Sequence, residues 1–242
     1  MKRFFSPQPL TETPLRLEGQ IARHMIQVMR LRPGDEVELF DGQHRCVAQL
    51  LEADKRGVTL TLGAALPLKP ASPLSVHLGQ VISKGDRMDY AIQKATELGV
   101  TEITPLYSLH GDVRLKGERA EKKRQHWQQV ALSACEQCGR DDLPVVHPAV
   151  PLEQWLSAVS ASLRLVMHPG QSMTQWARAD SPTSVAVLVG PEGGLADSEV
   201  EQAQAQLFQP VTVGPRILRT ETAPVVMLTL LQSWWGDLAD HE

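Results

Sequence analysis

The spacing of apolar and polar positions changes character once along the chain. Before residue 66, Ile21, Met25, Val28 and Met29 recur at helical spacing. Short alternating segments follow at Glu36 to Phe40, Arg45 to Leu51 and Val58 to Leu62, punctuated by Pro33-Gly34-Asp35, Asp41-Gly42 and Lys55-Arg56-Gly57. This pattern predicts a small antiparallel β domain with one helix. The run Leu66-Pro67-Leu68-Lys69-Pro70-Ala71-Ser72-Pro73 then places three prolines in eight positions, which neither a helix interior nor a central strand accommodates. A domain boundary is expected there, dividing the chain into residues 1–72 and 73–242.

Beyond it, strand-like runs at Leu74–Ile82, Ile103–Leu106, Leu163–Met167, Val185–Val189 and Val211–Val213 alternate with helical stretches. The fold class is therefore α/β with a mainly parallel sheet. Asp86 to Leu98 places Met88, Ile92 and Ala95 on one helix face, Gly117 to Cys138 is long and polar at its start, and Ala196 to Gln206 forms another helix. Thr222 to Trp235 is apolar nearly all round, so it lies either under the sheet or in a subunit interface.

At 242 residues and 26.7 kDa, with 42% hydrophobic and 21% charged residues, the chain has ordinary globular composition, which excludes collagen, coiled coil and bulk disorder. Three cysteines cannot build a disulfide framework, and a reducing cytoplasmic location is the natural expectation. Lys2 and Arg3 are followed by Pro7 and Pro9 rather than an apolar run, so no signal peptide is read, and Ala223 to Trp235 is too short and too polar to cross a bilayer. The net charge of −4 hides an asymmetry: residues 1–72 carry +2, 73–130 carry +2 and 131–242 carry −8, with every lysine at or before Lys123. A polyanion would meet the first half of the chain, although so mild a bias also suits ordinary solvated faces.

Two segments carry candidate chemistry. Val185 to Val189 runs into Gly190-Pro191-Glu192-Gly193-Gly194-Leu195, a strand opening into a glycine-rich loop. In parallel sheets ligands sit at the carboxyl ends of strands, and glycines there let a ligand approach the main chain. The loop is neither a dinucleotide fingerprint nor a phosphate-binding Walker loop, and Glu192 would repel a phosphate, so a cationic or hydrogen-bond-donating ligand fits better. The second segment, Gly214-Pro215-Arg216-Ile217-Leu218-Arg219-Thr220-Glu221-Thr222-Ala223-Pro224, joins a short strand to the last helix, which Thr220 or Thr222 can cap. Its two arginines and its glutamate form either a structural ion pair or the polar lining of a site. Cys135 and Cys138 have redox or zinc spacing but no second ligand pair, and they read as core packing within a helix. The eight histidines form no metal-binding pattern, so no metal is expected; His24 and His168 alone merit attention, the latter because it ends a strand on the ligand edge.

These two segments, in order, resemble the carboxy-terminal signature of the SPOUT methyltransferases, and specifically the ribosomal RNA small subunit methyltransferase E family. Arg3-Phe4-Phe5, the stretch His24 to Arg30 with Gly34 and Asp41-Gly42, Lys84-Gly85-Asp86-Arg87-Met88-Asp89 running through Lys94 and Glu97-Leu98-Gly99-Val100, and Glu136-Gln137-Cys138-Gly139-Arg140 agree with that family as well, so the resemblance spans essentially the whole chain. It implies a PUA-like RNA-binding barrel over residues 1–72, and over 73–242 a SPOUT parallel sheet whose carboxy-terminal chain threads a trefoil knot. It also implies a homodimer. Ala196 departs from the family, where a hydroxyl often caps the following helix, so the cap is expected to shift to Asp197 or to Ser198 with Glu201 as a capping box. Val213 replaces a common leucine.

The implied activity is transfer of a methyl group from S-adenosylmethionine to N3 of a uridine in 16S ribosomal RNA or the small subunit. Methylation of another RNA nucleotide, or RNA binding without catalysis, are the alternatives. The resemblance assigns the cofactor to Met167, Leu188, Gly190, Pro191, Glu192, Gly193, Gly194, Gly214, Leu218, Arg219, Thr220, Thr222 and Ala223, with Leu188 and Leu218 enclosing apolar surface. Arg219 is the candidate stabiliser of the uracil anion and Glu221 its orienting partner. Because N3 lies on the Watson-Crick edge, the base must be unpaired or flipped. Arg3, Phe4, Phe5, Arg23, Arg30, Lys84, Arg87 and Arg140 supply RNA-binding residue types, though Phe4 and Phe5 equally suit a barrel core.

Overall fold

The computed structural model describes residues 1–173 and 181–238. The chain forms two compact units, Met1–Pro70 with Cys135–Leu143, and Ala71–Ala134 with Pro144–Glu242. The change of unit after Pro70 lies within the proline-rich run Leu66–Pro73. Residues 135–143 depart from the expected single boundary by folding with the first unit, because their partners lie there: Glu136 Oε1 accepts from the Phe5 N–H, and the Asp141 carboxylate meets Arg3 and the Lys69 N–H.

In the first unit, β1 (Lys2–Phe5), β2 (Leu15–Glu18), β3 (Glu36–Phe40), β4 (Arg45–Ala53) and β5 (Gly57–Ala65) form one sheet in the order β1-β3-β4-β5-β2. The β1–β3 pairing is parallel, so the sheet is not wholly antiparallel. The expected helix begins as α1 (Gln20–Arg23) and continues as a π-helical turn, His24–Val28. Alternation sets the two faces of β3: Val37 and Leu39 join Phe4, Leu17, Met25, Leu50 and Leu60 in the apolar core, while Glu38 and Phe40 face the other way. There Arg3, directly opposite Glu38 in the register, pairs with it at 2.5 Å and lies over the Phe40 ring.

The second unit is a parallel sheet. Strands β6 (Ser75–Val81), β7 (Glu102–Tyr107), β8 (Val145–Val146), β10 (Leu163–Ser172), β11 (Ser184–Val189) and β12 (Gln209–Thr212) run in the order β12-β10-β11-β6-β7-β8, and the short β9 (Val150–Pro151) also pairs with β7. One face packs against α2 (Arg87–Glu97), α3 (Gly117–Cys138) and α6 (Thr222–Trp235); the other packs against α4 (Leu152–Ala158) and α5 (Asp197–Ala205). Both faces are therefore buried, which is why the strands read as continuous apolar runs. Along β11, Val185, Val187 and Val189 enter the first core, and Ala186 and Leu188 the second. A Cβ on Gly79 would lie 2.5 Å from the Trp155 ring, so α4 approaches β6 only because that residue is glycine. Connections from β11 and β6 lead to opposite sides of the sheet, which makes their carboxyl ends a topological switch point.

Candidate active site

The glycine loop begins where β11 ends, at that switch point. Gly190 packs against Leu195, whose Cγ would stand 3.0 Å from an added Cβ. Gly194 sits at φ +76°, and its N–H donates to Pro191 O, closing a tight turn that a side chain would strain. Gly193 differs: its φ is unexceptional and an added Cβ would meet only His110 Cβ, at 3.7 Å. Beside this loop opens a cavity of about 660 Å³, lined by Met167, Gly190, Pro191, Glu192, Gly193, Gly194, Leu218, Arg219, Thr220, Glu221 and Ala223. That volume lies within the roughly 300–1,000 Å³ typical of small-molecule sites.

The opposite wall comes from the segment before α6. Thr220 Oγ1 donates to Gly190 O at 2.8 Å and accepts from Gln80 Nε2 at 3.1 Å, so it braces two loops rather than capping the helix. The N-cap position belongs to Glu221, without a side-chain hydrogen bond, and Pro224 occupies the first turn. Among the described residues the Arg219 side chain has neither a hydrogen bond nor an ion pair. The expected Arg219–Glu221 pair does not form; instead Glu221 Oε2 is buried without a partner. These are open groups on a cavity wall. The α5 cap also differs from expectation. Ala196 is the N-cap, and since methyl cannot accept a hydrogen bond only half of a capping box exists: Glu199, not Glu201, accepts the Ala196 N–H.

Several proposed site residues lie elsewhere. Leu188 is fully buried on the α4–α5 face, because alternation along a doubly covered strand turns it away from the cavity and leaves Val189 on the lining. Gly214, at φ +66°, and Thr222, the first residue of α6, are not on the wall either. Arg87, expected to contact RNA, lines the cavity and pairs with Glu192 at 2.6 Å. Lys84 pairs with Asp112, both exposed. In the first unit Phe4 belongs to the core, and Phe5 stacks edge-on against Phe40. Arg3 is nine-tenths buried, binding Glu38, Asp141 and the carbonyls of Cys135 and Arg140, so it is a structural cation. Arg140 pairs with Asp142 in the same segment. Arg23 and Arg30 are exposed.

Cys135 is buried, and burial pushes its thiol up to about 12; Cys138 is exposed, contrary to a shared core role. His168 lines the cavity together with Pro169, Val189, Leu195 and Ile217; the last three lie in the two candidate segments without being among the expected site residues. Gln80 was also missed, although a fully buried glutamine within the apolar run Leu78-Gly79-Gln80-Val81 is a visible signal. At the amino ends of β6 and β7, His77, Glu102 and His147 bring ligand-type atoms within 4.8 Å of one another, a grouping no spacing pattern reveals.

A family model described as an RNA methyltransferase domain matches residues 70–232, and one described as an RNA methyltransferase PUA domain matches residues 17–63. The parallel sheet with its glycine loop, and the β domain ahead of it, thus define an RNA methyltransferase of two-domain type. The ribosomal RNA small subunit methyltransferase E of Buchnera aphidicola from Schizaphis graminum is 33% identical over 225 residues, 92% of each chain. That enzyme from Neisseria gonorrhoeae, solved bound to S-adenosylmethionine, is 38% identical with a TM-score of 0.91 over 99% of this chain and 100% of that one. A Legionella pneumophila methyltransferase, also solved with S-adenosylmethionine, is 35% identical with a TM-score of 0.93 over 97% of this chain and 98% of that one. The chain belongs to the ribosomal RNA small subunit methyltransferase E family.

Proposed function

We propose that the protein methylates N3 of a uridine in 16S ribosomal RNA, with S-adenosylmethionine as donor. The observation that carries this reading is the cavity between the glycine loop and the Leu218–Glu221 segment, in a chain whose similar structures hold that cofactor. The residues fit such a ligand. Gly193 leaves the wall open, and Glu221 Oε2 is an unsatisfied acceptor among the described residues, suited to a ligand that donates or is cationic.

When bound, the cofactor supplies an already activated methyl group, so neither a metal nor a covalent intermediate is required. The protein's contribution is then positioning, worth up to roughly 7–11 kcal/mol when reacting atoms are held near attack geometry. Arg219, at the cavity wall and unpaired among the described residues, stabilises the negative charge that develops on the uracil as the N3 proton leaves. The same reading carries the trefoil threading. β12 lies outside β10, yet Thr220 returns to the carboxyl end of β11 and to Gln80 of β6. It carries the homodimer too: Val225, Val226, Leu230 and Trp234 remain half-buried on α6, and sedimentation should give about twice 26.7 kDa.

Gly193→Val provides the test. The backbone there suits any residue and the new side chain meets little protein, so folding should be retained while calorimetric donor affinity is lost. Unchanged affinity would reduce the loop to a plain turn. Mapping methylated nucleosides in ribosomal RNA from cells lacking the protein tests the acceptor; an unaltered N3-methyluridine content overturns that assignment.

A further inference from the structure

A fully buried amide lies behind the cavity wall. Gln80 Nε2 donates to Thr220 Oγ1 at 3.1 Å and to Val81 O at 3.2 Å, and Thr220 Oγ1 donates to Gly190 O at 2.8 Å. The direction of this relay is fixed by chemistry. Gly190 O can only accept, so it takes the single hydroxyl proton of Thr220, and the threonine oxygen must receive its own bond from the glutamine NH₂ group. Turning the amide over would oppose two acceptors, at Thr220 and again at Val81 O. Gln80 Oε1 is consequently left without a hydrogen-bond partner among the described residues, although the residue is fully buried. Ser83 Oγ, 3.4 Å from Thr220 Oγ1, does not relieve it.

A stranded acceptor is destabilising, and an apolar side chain of similar size would avoid that cost. What the glutamine supplies is geometric. It ties the carboxyl end of β6 to the segment before α6, and through Thr220 to the first residue of the glycine loop. Those two segments are the facing walls of the cavity, and neither is otherwise joined to the other by a side-chain hydrogen bond among the described residues.

We propose that Gln80 is a positioning residue for the donor site: through Thr220 it holds the Leu218–Glu221 segment and Gly190 at the separation that bound S-adenosylmethionine requires. The inference rests on the donor-binding reading above and names the residue that sets the width of that site. Its signature is a divergence between binding and stability. A purely structural glutamine loses both when replaced, whereas this one relieves an unsatisfied acceptor while loosening the walls.

Gln80→Leu should unfold in denaturant at or above the parent's midpoint, bind S-adenosylmethionine about 10-fold more weakly by calorimetry, and keep the parent's kcat at saturating donor while its donor KM rises by a similar factor. Thr220→Val, which removes the middle of the relay without changing side-chain size, should weaken binding similarly, and Thr220→Ser should restore it. The double variant Gln80→Leu/Thr220→Val should bind no worse than the weaker single variant, as for two members of one relay. Donor affinity of Gln80→Leu within twofold of the parent, or affinity and stability falling together, overturns the proposal, and Thr220→Val and Thr220→Ser decide it if Gln80→Leu does not fold. A parent protein that binds no donor would instead overturn the methyltransferase reading, which separates the two failures.

Discussion

The two ends of the parallel sheet handle polar groups in opposite ways. At the amino ends of β6 and β7, polar side chains satisfy one another: Ser75 bonds Thr101, His147 Nε2 bonds Glu102 Oε2 at 2.6 Å, and His77 Nε2 lies near both Thr104 Oγ1 and the Trp155 indole N–H. An indole can only donate, which places the proton of neutral His77 on Nδ1, toward Glu102. At the carboxyl ends of β6 and β11, Gln80 Oε1 and Glu221 Oε2 are buried without partners and Arg219 is unpaired among the described residues. Closed hydrogen bonding stabilises a fold; open groups at a switch point serve a ligand. Residue type alone does not distinguish the two, since Arg3 and Arg219 belong to equally recognisable motifs and only the former is saturated with carboxylates.

The largest effect should come from the open end. Arg219→Ala removes a charge with no partner among the described residues, so the denaturation midpoint should hold and both ligands should bind nearly normally. Turnover should fall by roughly 100-fold or more, the scale of losing one preorganised donor to a developing anion. Raising the pH ionises free uridine and should partly rescue the variant relative to the parent. Turnover intact, with a pH profile parallel to the parent's, would reassign Arg219; a loss of RNA affinity with a salt slope lowered by about one unit would make it a phosphate contact.

How much of this was readable in advance follows from separation along the chain. The strand runs, α2, α3, α5, α6 and the glycine loop are local patterns, and their approximate bounds follow from periodicity and turn residues. β1, β2 and α4 were not apparent, since four-residue strands and a helix of seven residues carry too few periods to register. Arg3 was assigned to RNA because its ion-pair partner Asp141 lies 138 residues away. That Leu188 faces away from the cavity is not legible in sequence, because a strand buried on both faces looks the same from either side. Resemblance supplied the Leu218–Glu221 segment as part of the site; the relay joining it to Gln80 spans 140 residues and required the fold.

The closed end sharpens the comparison through pH. Burial, together with the nearby His147, pushes the His77 imidazole down to about 4 against the opposing pull of Glu102. A histidine held neutral in the fold takes up its proton more readily when unfolded, near the ordinary value of 6.5. Stability is therefore complete above about pH 6.5 and declines as the pH falls toward 4, by roughly 3 kcal/mol in all. Urea unfolding midpoints measured across that window should show the decline, and His77→Gln should flatten it. An equal slope in the variant would place the proton uptake elsewhere.

The smallest effect concerns the rim of the open end. Arg87 and Glu192 form an ion pair in which each side chain is about two-fifths exposed, so its contribution to stability is within about 0.5 kcal/mol once solvent screening is allowed for. Its electrostatic influence on the cavity is a separate matter, because both residues line it. Arg87→Ala leaves the Glu192 carboxylate unneutralised beside a space proposed to hold a ligand with a net positive charge. Donor affinity should therefore rise by roughly twofold at low ionic strength, and the gain should shrink as salt shortens the screening length to about 8 Å at physiological strength. Calorimetry at two salt concentrations reads both the sign and its screening. A fall in affinity that salt does not alter would mean that Arg87 touches the ligand directly, and would move it from the balance of charge at the rim to the binding surface itself.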